Sequence, residues 1–107
     1  MRERDTVWID LADKLRPAVV LEVQPDLVRV AYGASNVHDW PRVVVHPETR
    51  QGRAFPLQEE TFFYGANTTW AQPSKLTPGK SACAWELLLA IRKLVEEYDA
   101  SLVTNTE

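Results

Sequence analysis

With 107 residues, 45% of them hydrophobic and 25% charged, the chain has the make-up of one globular domain large enough to bury a core. A net charge of −3 argues against a surface broadly tuned to polyanions, although it permits a local basic patch. The single cysteine, Cys83, excludes an internal disulfide framework. The apolar runs are too short for a membrane span, and the charged start Met1-Arg2-Glu3-Arg4-Asp5 lacks an apolar leader, so the expected setting is the cytoplasm.

Residues 5–11 alternate Val7, Ile9 and Leu11 with Thr6, Trp8 and Asp10, the pattern of a strand with one buried face. After the short polar connection Ala12-Asp13-Lys14, residues 16–24 form a second strand. Pro17 lies near its start, where a missing N–H does least harm, and Ala18-Val19-Val20-Leu21 is apolar on both faces, as in a central strand. Pro25-Asp26 suits a turn, and residues 27–32 return as a third strand that ends at Gly33. Residues 34–41 read as loop, residues 41–46 as a strand stopped by Pro47, and residues 48–58 as polar and irregular.

Thr61-Phe62-Phe63-Tyr64 and Thr68-Thr69-Trp70-Ala71-Gln72 read as two further short strands, and Pro73-Ser74-Lys75-Leu76 as a turn or single helical turn. The last element is a helix over residues 82–98 with Ser81 as N-cap. Ala84, Leu87, Leu88, Ile91, Leu94, Val95 and Tyr98 make its apolar stripe, and Trp85 and Leu89 lie beside it, at the sheet edge or in a dimer seam. Several short strands and one C-terminal helix predict a mainly β domain over 1–107: a bent antiparallel sheet closed into a small barrel, with the helix over one face or end.

Three stretches carry a family resemblance. Asp5-Thr6-Val7-Trp8-Ile9-Asp10, Arg16-Pro17-Ala18-Val19-Val20-Leu21 and Val28-Arg29-Val30-Ala31-Tyr32-Gly33-Ala34-Ser35-Asn36 resemble the first three strands of the MazF/PemK toxins of toxin–antitoxin systems. The resemblance implies an SH3-like barrel, a homodimer, an antitoxin or other protein partner, and cleavage of single-stranded RNA without a metal or other cofactor. It also implies that an arginine of the Arg-Pro motif and a Thr or Ser of the loop after the third strand act at the scissile phosphate. Arg16 matches the arginine. The hydroxyl position falls on Ala34, with Ser35 next to it.

Read by their own chemistry, the residues suggest the same region. Cleavage through a 2′-hydroxyl needs a base, a cation or donors for the charged phosphorane, and an acid. Arg16 offers a bidentate guanidinium, or else an ion pair to Asp13 or Glu22. Ser35 and Asn36 can donate to a phosphate, or else serve as turn residues. His38, in a loop close to the expected site, is the acid–base candidate, since histidine is the side-chain type whose unperturbed pKa lies near neutrality; His46, before Pro47, reads as structural or surface. Trp40, flanked by Asp39 and Pro41, is the ring expected to be exposed for base stacking, whereas Phe62, Tyr64 and Trp70 are assigned to core or dimer seam. Arg42 and Arg53, with Arg50 close by, supply a basic cluster for RNA or else solvated loop charge. No Cys-x-x-Cys or His-x-x-x-His spacing suggests a metal site. Cys83 reads as a small buried packing residue rather than a nucleophile, although the adjacent helix N-terminus would lower its pKa. The alternative to a nuclease is a catalytically inactive SH3-like interaction module, possibly from a mobile element, that binds a macromolecular target.

Overall fold

A computed structural model describes residues 1–105. Six strands form one antiparallel sheet: β1 (Thr6–Leu11), β2 (Lys14–Val23), β3 (Val28–Ala34), β4 (Arg42–Val45), β5 (Thr61–Ala71) and β6 (Leu76–Pro78). Their order across the sheet is β4-β5-β3-β2-β1-β6. A five-residue helix α1 (Arg50–Ala54) interrupts the β4–β5 connection, and a 21-residue helix α2 (Trp85–Asn105) ends the described chain. Among the described residues no helix is long and apolar enough to cross a membrane.

The alternation of β2 explains how one sheet fills two cores. Val19 and Leu21 join Ala31, Phe63 and the buried α2 residues Leu87, Leu88, Ile91 and Val95. Ala18 and Val20 join Val7, Ile9, Val28, Val30 and Leu76, a cluster drawn from four strands alone. Successive side chains of a strand point to opposite faces, so the apolar run Ala18–Leu21 serves both clusters, and all four residues are buried. The second cluster is built without a helix; its four strands, β3, β2, β1 and β6, are successive neighbours in the sheet.

The sheet does not close into the expected barrel, because its edge strands β4 and β6 share no ladder. The segment after α1 is bonded instead to the β1–β6 side of the molecule. The Ala54 carbonyl accepts from Thr6 Oγ1 at 3.1 Å, from Lys80 N at 3.0 Å and from Ser81 N at 3.1 Å. The Phe55 carbonyl accepts from Trp8 Nε1 at 2.8 Å.

Several boundaries differ from those the sequence suggests. The two short strands around Gly65 are one, β5, since Gly65 lies flat against α2; a Cβ built there would run into the Leu94 carbonyl oxygen. Residues 48–58 contain α1, capped by Thr49 Oγ1 accepting from Gly52 N at 3.1 Å. α2 starts at Trp85 rather than at 82 and runs to Asn105 rather than to 98. The preceding backbone is engaged elsewhere: Ser81 N donates to Ala54 and Cys83 N donates to the Arg4 carbonyl at 2.8 Å. Trp70, assigned to core or seam, is 41% exposed near the end of β5, whereas Phe62 and Tyr64 are buried. Trp85 and Leu89 are exposed, and the Arg4 guanidinium sits 4.4 Å from the centre of the Trp85 ring.

The β1–β2 connection sets the start of β2. Leu11 pairs with Lys14, leaving a two-residue turn in which Ala12 (φ 52°) and Asp13 (φ 63°) both adopt the left-handed region. Tight hairpins require that conformation, and Asn and Gly accept it better than alanine. Ala12→Asn is therefore expected to raise stability by about 0.5 kcal/mol, read as a higher urea midpoint with an unchanged slope. An unchanged or lower midpoint would show that the turn is not strained at Ala12.

Candidate functional site

The hairpin register brings the start of β2 beside the end of β3. Ala18 pairs with Tyr32, so continuing the antiparallel ladder toward the start of β2 sets Arg16 level with Ala34. Both line a cavity of about 720 Å³, together with Lys14 and Ser35. The far wall is the segment after α1, including Leu57, Gln58 and Glu59. Trp8 also lines the cavity; its indole N–H, bonded to the Phe55 carbonyl, ties the segment to β1. Gly33 allows close packing beneath the cavity, since a Cβ there would collide with Thr61 Cγ2.

The charges of this cavity are arranged for an anion. Arg16 is half-buried, and its guanidinium has no hydrogen bond or ion pair among the described residues; neither Asp13 nor Glu22 engages it. Lys14 Nζ donates to Ser35 Oγ at 3.1 Å, which places an ammonium and a hydroxyl side by side. A guanidinium left unpaired at a partly desolvated surface gains strongly from a bidentate oxyanion. Glu59 brings a carboxylate to the opposite wall, the one acidic side chain lining the cavity. Lys14 and Glu59 are absent from the sequence-based candidates. Lys14 reads there as turn, and Glu59 lies just past a segment whose path the residue pattern does not fix.

The other predicted residues lie outside this cavity. Asn36 and His38 belong to a cluster around Tyr64, whose hydroxyl donates to the Asn36 carbonyl at 3.0 Å and accepts from His38 N at 2.7 Å. The His38 ring stacks on Trp40 with centroids 4.6 Å apart. Arg42 donates to the His38 and Trp40 carbonyls, at 3.2 and 3.3 Å, and so braces the loop. Arg53 is exposed on α1 and lines neither this cavity nor the Trp40 cluster. His46 Nδ1 lies 2.8 Å from Glu60 Oε2 at the surface. Arg16 and Ser35 thus meet, whereas His38, Asn36, Trp40 and Arg42 form a separate group.

Cys83 is buried beside the start of α2, and burial pushes its thiol up to about 11, against the lowering effect of the nearby Arg4 charge. The expected lowering by the helix N-terminus is overridden, because desolvation disfavours the thiolate. Between the ordinary value of 9.0 and about 11, the unfolded chain loses this proton while the folded chain keeps it. Stability is therefore expected to fall across that pH window more steeply in the native protein than in Cys83→Ala. A native thiol that reacts with a disulfide reagent at pH 8 as fast as free cysteine would contradict this placement.

Compared with protein-family models and with curated proteins, the chain matches none.

Proposed function

We propose that the Arg16 cavity is the active site of an endoribonuclease of the MazF/PemK type, acting on single-stranded RNA without a metal. In this reading the six-stranded sheet is an open form of the SH3-like barrel, and the protein works as a homodimer restrained by an antitoxin. The observation that carries the proposal is the unpaired Arg16 guanidinium lining the same cavity as the Lys14–Ser35 pair. The three opening stretches that resemble the family each supply residues to this cavity.

The chemistry follows from the residues at the walls. Arg16 binds two oxygens of the scissile phosphate and gains as negative charge builds on the phosphorane. Ser35 Oγ and Lys14 Nζ, already in contact, donate to the same phosphate. Glu59 replaces His38 as the base that takes the 2′-hydroxyl proton, and Lys14 returns a proton to the departing 5′-oxygen. The products are a 2′,3′-cyclic phosphate and a 5′-hydroxyl. A cavity of about 720 Å³ has room for the nucleotides on both sides of the bond.

Ala34, where the family has a hydroxyl, favours a second reading in which the same cavity binds without cutting. The two are separated by incubating purified protein with unstructured RNA in EDTA. The nuclease reading expects cleavage with cyclic-phosphate ends and a loss of at least about 100-fold in rate for Arg16→Ala. Intact RNA, with a stable protein partner recovered alongside the chain, would establish the non-catalytic module instead.

A further inference from the structure

The separate group around Trp40 borders a second cavity, of about 370 Å³, between α2 and the loop before β4. It shares no lining residue with the Arg16 cavity and plays no part in the proposed cleavage. Its walls are Trp40 and Pro41 on the loop, Tyr64 and Gly65 on β5, and Leu94 and Tyr98 on α2. Gly65 keeps the floor low, since a Cβ there would stand 2.8 Å from Tyr98 Cβ.

We propose that this cavity binds a compact organic cation, an alkylammonium group, by the exposed rings of Trp40 and Tyr98 and one carboxylate. The buried Tyr64 ring meets Trp40 at 85°, with centroids 5.5 Å apart, and so braces the exposed indole from behind. Tyr98 stands at the helix side of the same cavity. Aromatic faces attract cations through the ring quadrupole, most strongly with tryptophan and where water is displaced.

Glu97 also lines the cavity, and its carboxylate has no hydrogen bond or ion pair among the described residues. The neighbouring acid Asp99, by contrast, is paired with Arg29. Two of the hydroxyls are already used: the Tyr64 hydroxyl holds the loop backbone, and Ser101 Oγ donates to the Tyr98 carbonyl at 2.7 Å. An apolar, aromatic-lined cavity with a single free carboxylate suits a cation that carries its own apolar surface better than an anion or a neutral polar ligand.

The rings are held ready for it. Trp40 is 51% exposed, yet its ring is stacked on His38 and in edge contact with Tyr64, while Arg42 fixes the backbone beneath it. Exposed tryptophan fixed in this way loses little freedom on binding, which favours recognition.

The test is an NMR titration of the full chain with tetramethylammonium chloride, tert-butanol as the neutral analogue of similar shape, and a short lysine-containing peptide. The expected result is a saturable shift of the Trp40 indole and the Gly65 and Ala66 amides with the ammonium ion. Glu97→Gln should weaken it about three- to tenfold, and Trp40→Leu with Tyr98→Ala should remove it. Tighter binding of the peptide than of tetramethylammonium would assign the cation to a partner's side chain; the reverse order would assign it to a free small molecule. Equal shifts with tert-butanol, shifts that never saturate, or equal perturbation of Trp8, Trp70 and Trp85 would overturn the proposal. RNA cleavage is not a readout here, so this result and that of the nuclease assay stand or fall separately.

Discussion

The Ala54–Phe55 backbone is the junction on which the rest depends. Its two carbonyls accept four hydrogen bonds, from Thr6, Trp8, Lys80 and Ser81. These residues come from β1 and from the chain between β6 and α2, so one short stretch fixes three otherwise independent parts. Phe55 itself is fully buried against Phe63, with ring centroids 6.1 Å apart. Buried carbonyls must be satisfied, and here their satisfaction decides the architecture. It directs the chain after β6 away from the sheet, delays α2 until Trp85, and stands residues 56–59 opposite Arg16 as a wall.

Charge is distributed consistently with that division. On the sheet, Arg16 is left unpaired at a cavity among the described residues, whereas Arg29 is committed to Asp99 and Arg42 to loop carbonyls; Arg92 of α2 is committed to Glu3 and to the Leu21 carbonyl at 2.8 Å. An acidic protein can therefore hold one site suited to an anion without a broadly basic surface, because the other guanidinium groups near the sheet are spent on structure. The converse holds at Glu97, the acid left free beside aromatic rings.

Much of the first half is legible in the residues. The alternation of Val7, Ile9 and Leu11 and the doubly apolar run Ala18–Leu21 define strands whose register follows from two short turns to within the one-residue shift that an irregularity between Val20 and Glu22 introduces. That register alone brings Arg16 near Ala34 and Ser35. The stripe Leu87, Leu88, Ile91 and Val95 is equally plain, since a period of 3.6 over many residues has few alternatives. Legibility fails where the decisive contacts are long-range. β6 has three residues and α1 five, too few for any periodicity to show. Gly65 reads as a break because the reason for it, the close approach of α2 at Leu94 and Tyr98, is remote in sequence. His38 reads as a neighbour of Arg16 because it follows Ser35 closely, but the Tyr64 hydroxyl holds that loop over β5, outside the Arg16 cavity.

The open sheet has a consequence for behaviour in concentrated solution. Unpaired strand edges invite neighbouring molecules to add on and grow into fibrils. Here one border is four residues long and is followed at once by a surface histidine–glutamate pair, and the other is three residues long and finishes in Pro78, which has no amide hydrogen to offer. A molecule that leaves its sheet unsealed thus ends it, on either side, in a strand too brief to act as a template.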